Sequence, residues 1–222
     1  LSAFCANLSP IQIEAFRQRF AIPNDKNIVL YLGRIRSEKG WQDLPDVARA
    51  LGPQDFLLIC GDGPDRAKLK TAMARACPDD RWRITGFVDQ LQARIALEVA
   101  DILILPSRRE AFGGFLLEAM ACGIPAVSYR IGGIPELAGN PAAIRLIEPG
   151  DTAAFTSAVC HLLSDPAERE LLTQRGQDRV SDFGLDDATA SVLSVYAKVM
   201  ATPHATINRL KSLQKPDSQM TR

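Results

Sequence analysis

Two glutamates, Glu110 and Glu118, stand with seven residues between them, and Gly113-Gly114 lies in that interval. The paired glycines free the backbone. The helix expected to begin there offers unpaired N–H groups and the positive end of its dipole, an arrangement that receives an anion. A carboxylate only accepts hydrogen bonds, so two of them beside an anion site repel phosphate and suit vicinal hydroxyls. Glu118 alone reads equally well as a partner of the helix dipole. The joint pattern is what favours a ligand carrying phosphates and hydroxyls together, such as a sugar–diphosphate–ribose. Upstream, the segment Gly33-Arg34-Ile35-Arg36-Ser37-Glu38-Lys39-Gly40 brings Arg34, Arg36 and Lys39 together. Taken alone it is a solvated charged loop. Beside the glutamate pair it becomes a grip for phosphate oxygens, which arginine holds bidentately.

Other chemistries lack their residues. Gly61-Asp62-Gly63-Pro64 resembles the start of a dinucleotide fingerprint, but Arg66 stands where the third glycine belongs and Pro64 reads as the first residue of a helix. No Gly-x-x-x-x-Gly-Lys-Ser/Thr occurs, which excludes a phosphate-loop NTPase. The two histidines, His161 and His204, are far apart and give little material for a histidine metal site or a Ser-His-Asp triad. There is no Asp-x-Asp to clamp a metal-bound diphosphate. Cys5, Cys60, Cys77, Cys122 and Cys160 are odd in number and contain no C-x-x-C, as expected of buried, reduced thiols.

The elements that must position these residues repeat one pattern: an apolar run, a turn bearing Gly or Pro, then an amphipathic stretch. Strands are expected at Ile28–Leu32, Phe56–Cys60, Trp82–Thr85, Asp101–Leu105, Pro125–Ser128 and Ala143–Ile147. Helices are expected at Trp41–Leu51, Pro64–Ala76, Gln90–Val99, Gly114–Cys122 and Ile134–Ala138, then consecutively at Thr152–Leu163, Pro166–Val180 and Asp186–Met200. The runs are apolar throughout, which predicts an α/β fold, a Rossmann-like parallel sheet covered by helices on both faces. In such sheets ligands bind beyond the carboxyl ends of the strands, and Gly33, Gly61 and Gly86 stand at those ends. Ala201–Arg222, with Pro203 and Pro216, reads as a tail or late helix.

The chain has 222 residues, 46% of them apolar, and 26 basic residues balance 26 acidic ones. That balance argues against a surface built to attract nucleic acid, while leaving room for a local cationic pocket. No apolar run is long enough to span a bilayer.

Read in order, Arg34 with Lys39-Gly40, Gly61-Asp62-Gly63-Pro64, Gly86-Phe87-Val88, Asp101 to Ser107, Glu110-x7-Glu118, Gly123-Ile124-Pro125 and Gly132-Gly133-Ile134-Pro135-Glu136 resemble the C-terminal, donor-binding half of a retaining glycosyltransferase of the GT-B fold, from the group 1 family. The resemblance covers about Ile28 to Met200. It departs at Gly114, where the family usually carries a larger apolar residue, and at Ala111, where glycine is common. It implies that Arg34 and Lys39 hold the diphosphate and stabilise it as it leaves. Backbone N–H groups over Gly113, Gly114, Phe115 and Leu116 assist, Glu118 accepts from the ribose, Glu110 binds donor-sugar hydroxyls, and Gly86, Phe87 and Val88 lie beside the base. The donor is a UDP-, GDP- or ADP-sugar, with no metal and no other cofactor.

The resemblance further implies an acceptor-binding domain N-terminal to this chain, residues 1–27 being a linker with an entering helix from about Asn7 to Phe20, residues 28–200 the nucleotide-sugar-binding domain and residues 201–222 a tail. A cytoplasmic enzyme of cell-envelope polysaccharide or lipopolysaccharide assembly, in peripheral contact with the inner membrane face, is the family-level expectation. A binding module without transferase activity and a sugar epimerase of the same fold are the alternatives.

Overall fold

The computed structural model describes residues 8–184 together with 193, 194 and 196. Its elements are α1 (Pro10–Phe20), β1 (Asn27–Leu32), α2 (Leu44–Ala50), β2 (Asp55–Cys60), α3 (Arg66–Ala76), β3 (Trp82–Gly86), α4 (Gln90–Glu98), β4 (Ile102–Leu105), α5 (Gly114–Ala121), β5 (Ala126–Tyr129), α6 (Ile134–Ala138), β6 (Arg145–Ile147), α7 (Thr152–Ser164) and α8 (Pro166–Val180). The six strands are parallel and lie in the order β3-β2-β1-β4-β5-β6. Residues 28–32, 56–60 and 102–105 are buried without alternation, as strands covered on both faces require, whereas the edge strands β3 and β6 are partly open. Helices α2, α3 and α7 pack together over one face around Val29, Tyr31, Leu57, Ile59, Ile102 and Ile104, while α4 and α5 lie against the sheet with α1 and α8 beside them.

Four of the eight helices described, α1, α4, α7 and α8, begin at a side-chain cap. Ser9 and Asp89 form reciprocal caps with Gln12 and Gln92, and Asp151 and Asp165 accept from the backbone N–H three residues on. Two starts differ from the sequence expectation. Trp41–Leu51 is not one helix: Trp41–Asp43 is a 3-10 turn and α2 starts at Leu44, because Pro45 has no N–H and is tolerated only in a first turn. Helix α3 starts at Arg66, two residues after Pro64, and Asp65 does not cap it. Its carboxylate instead accepts from Trp41 Nε1 and Ser37 Oγ, each at 3.2 Å, and from Lys68 at 2.9 Å.

The entering helix is docked on the domain rather than strung before it. Phe16 and Ile22 are buried, α1 packs on α4, and Arg83 Nε donates to the Phe20 carbonyl at 3.0 Å. The compact unit holding the sheet runs from Leu1 to Ser181, where the sequence reading placed boundaries after residues 27 and 200. A second unit is Asp182–Arg222. The expected helix Asp186–Met200 and the tail 201–222 fall outside the described residues save 193, 194 and 196, which are helical where described at 193, 194 and 196. No helix among the described residues is long and apolar enough to cross a membrane.

Candidate functional site

Strand order reverses between β1 and β4, since the chain winds outward from β1 to β3 and then resumes at β4 on the other side. A crevice opens at such a switch point beyond the strands' carboxyl ends, and the loops after β1 and β4 form its walls. Those loops are stitched together through the backbone. The N–H groups of Arg108 and Arg109 both donate to the Glu38 carbonyl, at 2.9 and 3.1 Å. Gly40, at φ +71, packs so closely on the Pro106 carbonyl that a Cβ would sit 1.6 Å from its oxygen. Gly132, at φ +51, does the same for the loop after β5, where a Cβ would lie 1.7 Å from the Glu110 carbonyl oxygen.

Side chains complete the seam. Lys39 Nζ donates to Glu110 Oε2 at 2.7 Å, with Ser107 Oγ at 3.5 Å from the same oxygen. Both partners of this ion pair are partly buried, so water screens it less than a fully exposed pair. Beneath it Asp43, 3% exposed, accepts from Arg108 Nη2 and Tyr129 Oη at 2.8 Å each and from Thr152 Oγ1 at 3.1 Å. Burial pushes the Tyr129 phenol up to about 12, so it remains a donor. One carboxylate thus ties the start of α2 to the β4 loop, β5 and α7.

Beside the seam, a cavity of about 360 Å³ is lined by Leu32, Gly33, Arg34, Phe87, Val88 and Phe115, with Cys60, Gly61 and Asp62 at its back. Its size lies in the range of small-molecule sites. None of the described residues pairs with the Arg34 guanidinium, which is exposed at the cavity wall. Phe87 is 78% exposed and Phe115 36%, so two aromatic rings face solvent at the rim of an apolar hollow. A cation beside exposed rings can hold an anion joined to a flat apolar group.

The expected site residues therefore fall into three groups. Arg34, Phe87, Val88 and Phe115 share the cavity, and Lys39 and Glu110 meet each other in the seam. Glu118 is in neither set: it lies in the second turn of α5, half-buried, where loss of water pushes its carboxyl above the ordinary carboxylate range. Gly113, at φ +88, precedes α5 and Gly114 opens it with nothing within 4 Å of a built Cβ. Leu116 departs from expectation. Its side chain is fully buried and its N–H donates to the Gly113 carbonyl at 2.9 Å, whereas the amides of Gly113, Gly114 and Phe115 make no such backbone bond. Gly86 does not line the cavity; its carbonyl accepts the Gly61 N–H at 2.9 Å and joins the ends of β2 and β3. Asp43 was missed because it reads as a helix interior, although Pro45 two positions on marks a helix start there.

The described residues hold one group that could bind a cation, His161, Asp165 and Glu168 at the α7–α8 junction, where Arg145 already pairs with Glu168 at 3.1 Å. It shares no residue with the cavity. Cys60 is buried and its thiol is pushed up to about 12 by burial, which leaves it inert.

A parallel sheet in the order β3-β2-β1-β4-β5-β6, with helices on both faces and a crevice at its switch point, is a doubly wound α/β fold. Residues 12–179 match the family described as Glycosyl transferases group 1, and the chain belongs to that family, with the fold of the C-terminal half of a GT-B enzyme. It is 32% identical over 200 residues to the 2-deoxystreptamine glucosyltransferase of Streptomyces kanamyceticus, covering 88% of this chain and 52% of that protein. The chain thus spans about half the length of this curated relative. Among solved structures it resembles Anabaena HepE in complex with UDP-glucose, with TM-score 0.73 and 24% identity over 85% of this chain and 54% of the other. It also resembles the C-terminal domain of a group 1 glycosyl transferase, LpcC, from Francisella tularensis, with TM-score 0.65 and 25% identity over 74% of this chain and 90% of that one.

Proposed function

We propose that this chain is the donor-binding half of a retaining glycosyltransferase that releases a nucleoside diphosphate from a nucleotide-sugar without a metal ion. The observation that carries the reading is an Arg34 guanidinium with no partner among the described residues at the wall of an aromatic-rimmed cavity, on the same loop as Lys39 of the Lys39–Glu110 seam. Arg34, Lys39 and the amides of Gly113, Gly114 and Phe115 meet the diphosphate. Phe87, Val88 and Phe115 lie along the base, Glu118 takes the ribose hydroxyls, and Glu110 takes hydroxyls of the sugar. The bond that breaks joins the anomeric carbon to the diphosphate oxygen, and negative charge grows on that oxygen. Cations on a loop whose backbone is held stabilise that charge more in the transition state than in the ground state. HepE's complex with UDP-glucose supports a nucleotide-sugar as the donor class. The acceptor, whether a cell-envelope polysaccharide or a small molecule, is set by a second domain.

Calorimetric titration tests this. Arg34→Ala and Lys39→Ala should each weaken a nucleoside diphosphate by about one to two decades, the worth of a charge-assisted hydrogen bond at roughly 1.5–3 kcal/mol, and leave the nucleoside nearly unchanged. Unchanged diphosphate affinity in both variants would make the loop a solvated turn.

A further inference from the structure

The two cations of the proposed site sit on a loop with little regular structure, and a loop cation is useful only if its backbone is held. Arg34 follows the end of β1, and Lys39 ends the 3-10 turn Ser37–Lys39. Both backbones come back to one buried atom. Tyr31, in β1 and 0% exposed, donates its phenolic O–H to the Arg34 carbonyl at 2.9 Å, and the Lys39 carbonyl lies 3.4 Å from the same oxygen. The Arg34 carbonyl also accepts the Arg36 N–H at 3.1 Å, which tightens the same turn. The phenol reaches under Gly33, where a built Cβ would stand 3.6 Å from its oxygen, so it occupies the space inside the loop.

We propose that Tyr31 is a positioning residue for the diphosphate site, its hydroxyl joining the backbones of Arg34 and Lys39 so that both cations address one anion. The inference rests on the donor-site reading above. A phenol suits the task better than a charged group. Its ring fills the core between β1 and the helices over it, and its single proton serves two carbonyls without leaving a buried charge unpaired. Burial holds the phenol far above its ordinary pKa, so it stays a donor across any working pH. Nothing in the geometry asks Tyr31 to touch the ligand. It acts through the two residues that do.

Tyr31→Phe tests the hydroxyl by itself, because the ring and its packing remain. The chain and its Tyr31→Phe, Arg34→Ala and Lys39→Ala variants are titrated with UDP, GDP and ADP and with uridine, guanosine and adenosine, after melting curves confirm that each variant folds. Tyr31→Phe should lower affinity for the preferred diphosphate roughly three- to tenfold, the worth of one neutral hydrogen bond, with the nucleoside unchanged. A residue that only filled the core would move both ligands together or neither. If the arginine and lysine variants lose the diphosphate but Tyr31→Phe binds like the parent, or loses both ligands equally, the positioning role is wrong and the donor site stands. If neither the arginine nor the lysine variant loses the diphosphate, the donor-site reading falls and the positioning role falls with it.

Discussion

Glu118 and Glu110 carry the same functional group in different surroundings, and that difference predicts different behaviour. Glu118 is partly stripped of water, which raises its carboxyl pKa. A raised carboxyl binds its proton more tightly folded than unfolded, so its ionisation costs stability as pH rises through the window between the ordinary value, about 4.3, and the raised one. The cost is absent below that window and fully present above it. Glu118→Gln should therefore hold or raise the melting temperature at pH 7, show no such gain at about pH 4, and still weaken both nucleoside diphosphate and nucleotide-sugar. A loss of melting temperature at pH 7 would mark Glu118 as structural. Glu110 is held by Lys39 instead. Glu110→Gln frees that lysine, so nucleoside diphosphate binding should not weaken, whereas affinity for the whole nucleotide-sugar should drop; calorimetry with the two ligands separates the cases.

At the scale of elements, the loops beyond the strands are held by groups remote in the chain, and here reading from sequence reaches its limit. Apolar runs marked β1, β2, β4 and β5 because a strand buried on both faces carries its signal in consecutive residues, and the partly open edge strands β3 and β6 were found by interrupted runs. The glycines marked the strand ends because close approach leaves no other choice. The contact of Lys39 with Glu110, and that of Asp43 with Arg108, Tyr129 and Thr152, join residues of ordinary type across wide separations, so no local pattern announces them. Asp43→Asn puts an amide N–H₂ where three donors converge and leaves Arg108 without its counter-charge. Urea unfolding should show a loss of about 1–3 kcal/mol, the cost of a buried group left unpaired. Loss of less than about 0.5 kcal/mol would mean the Asp43 cluster adds little.

For the molecule as a whole, a sheet with its own core and capped helices should fold and bind donor as it stands, and on the proposed two-domain reading transfer needs an acceptor held by the other domain. We expect no robust sugar transfer by this chain with lipid or sugar acceptors, assayed by product mass; clear turnover would overturn the two-domain reading. The cavity wall carries a separate consequence. On the proposed reading, the backbones of Arg34 and Lys39 are held by the buried Tyr31, whereas the face that would meet the base consists of the exposed side chains Phe87 and Phe115 beside Val88. Substitutions at those three positions disturb little of the packing beneath. If the proposed donor site holds, changes at those three positions could exchange one nucleobase for another without disturbing the groups proposed to meet the diphosphate, and they are where an engineer would begin to change the donor.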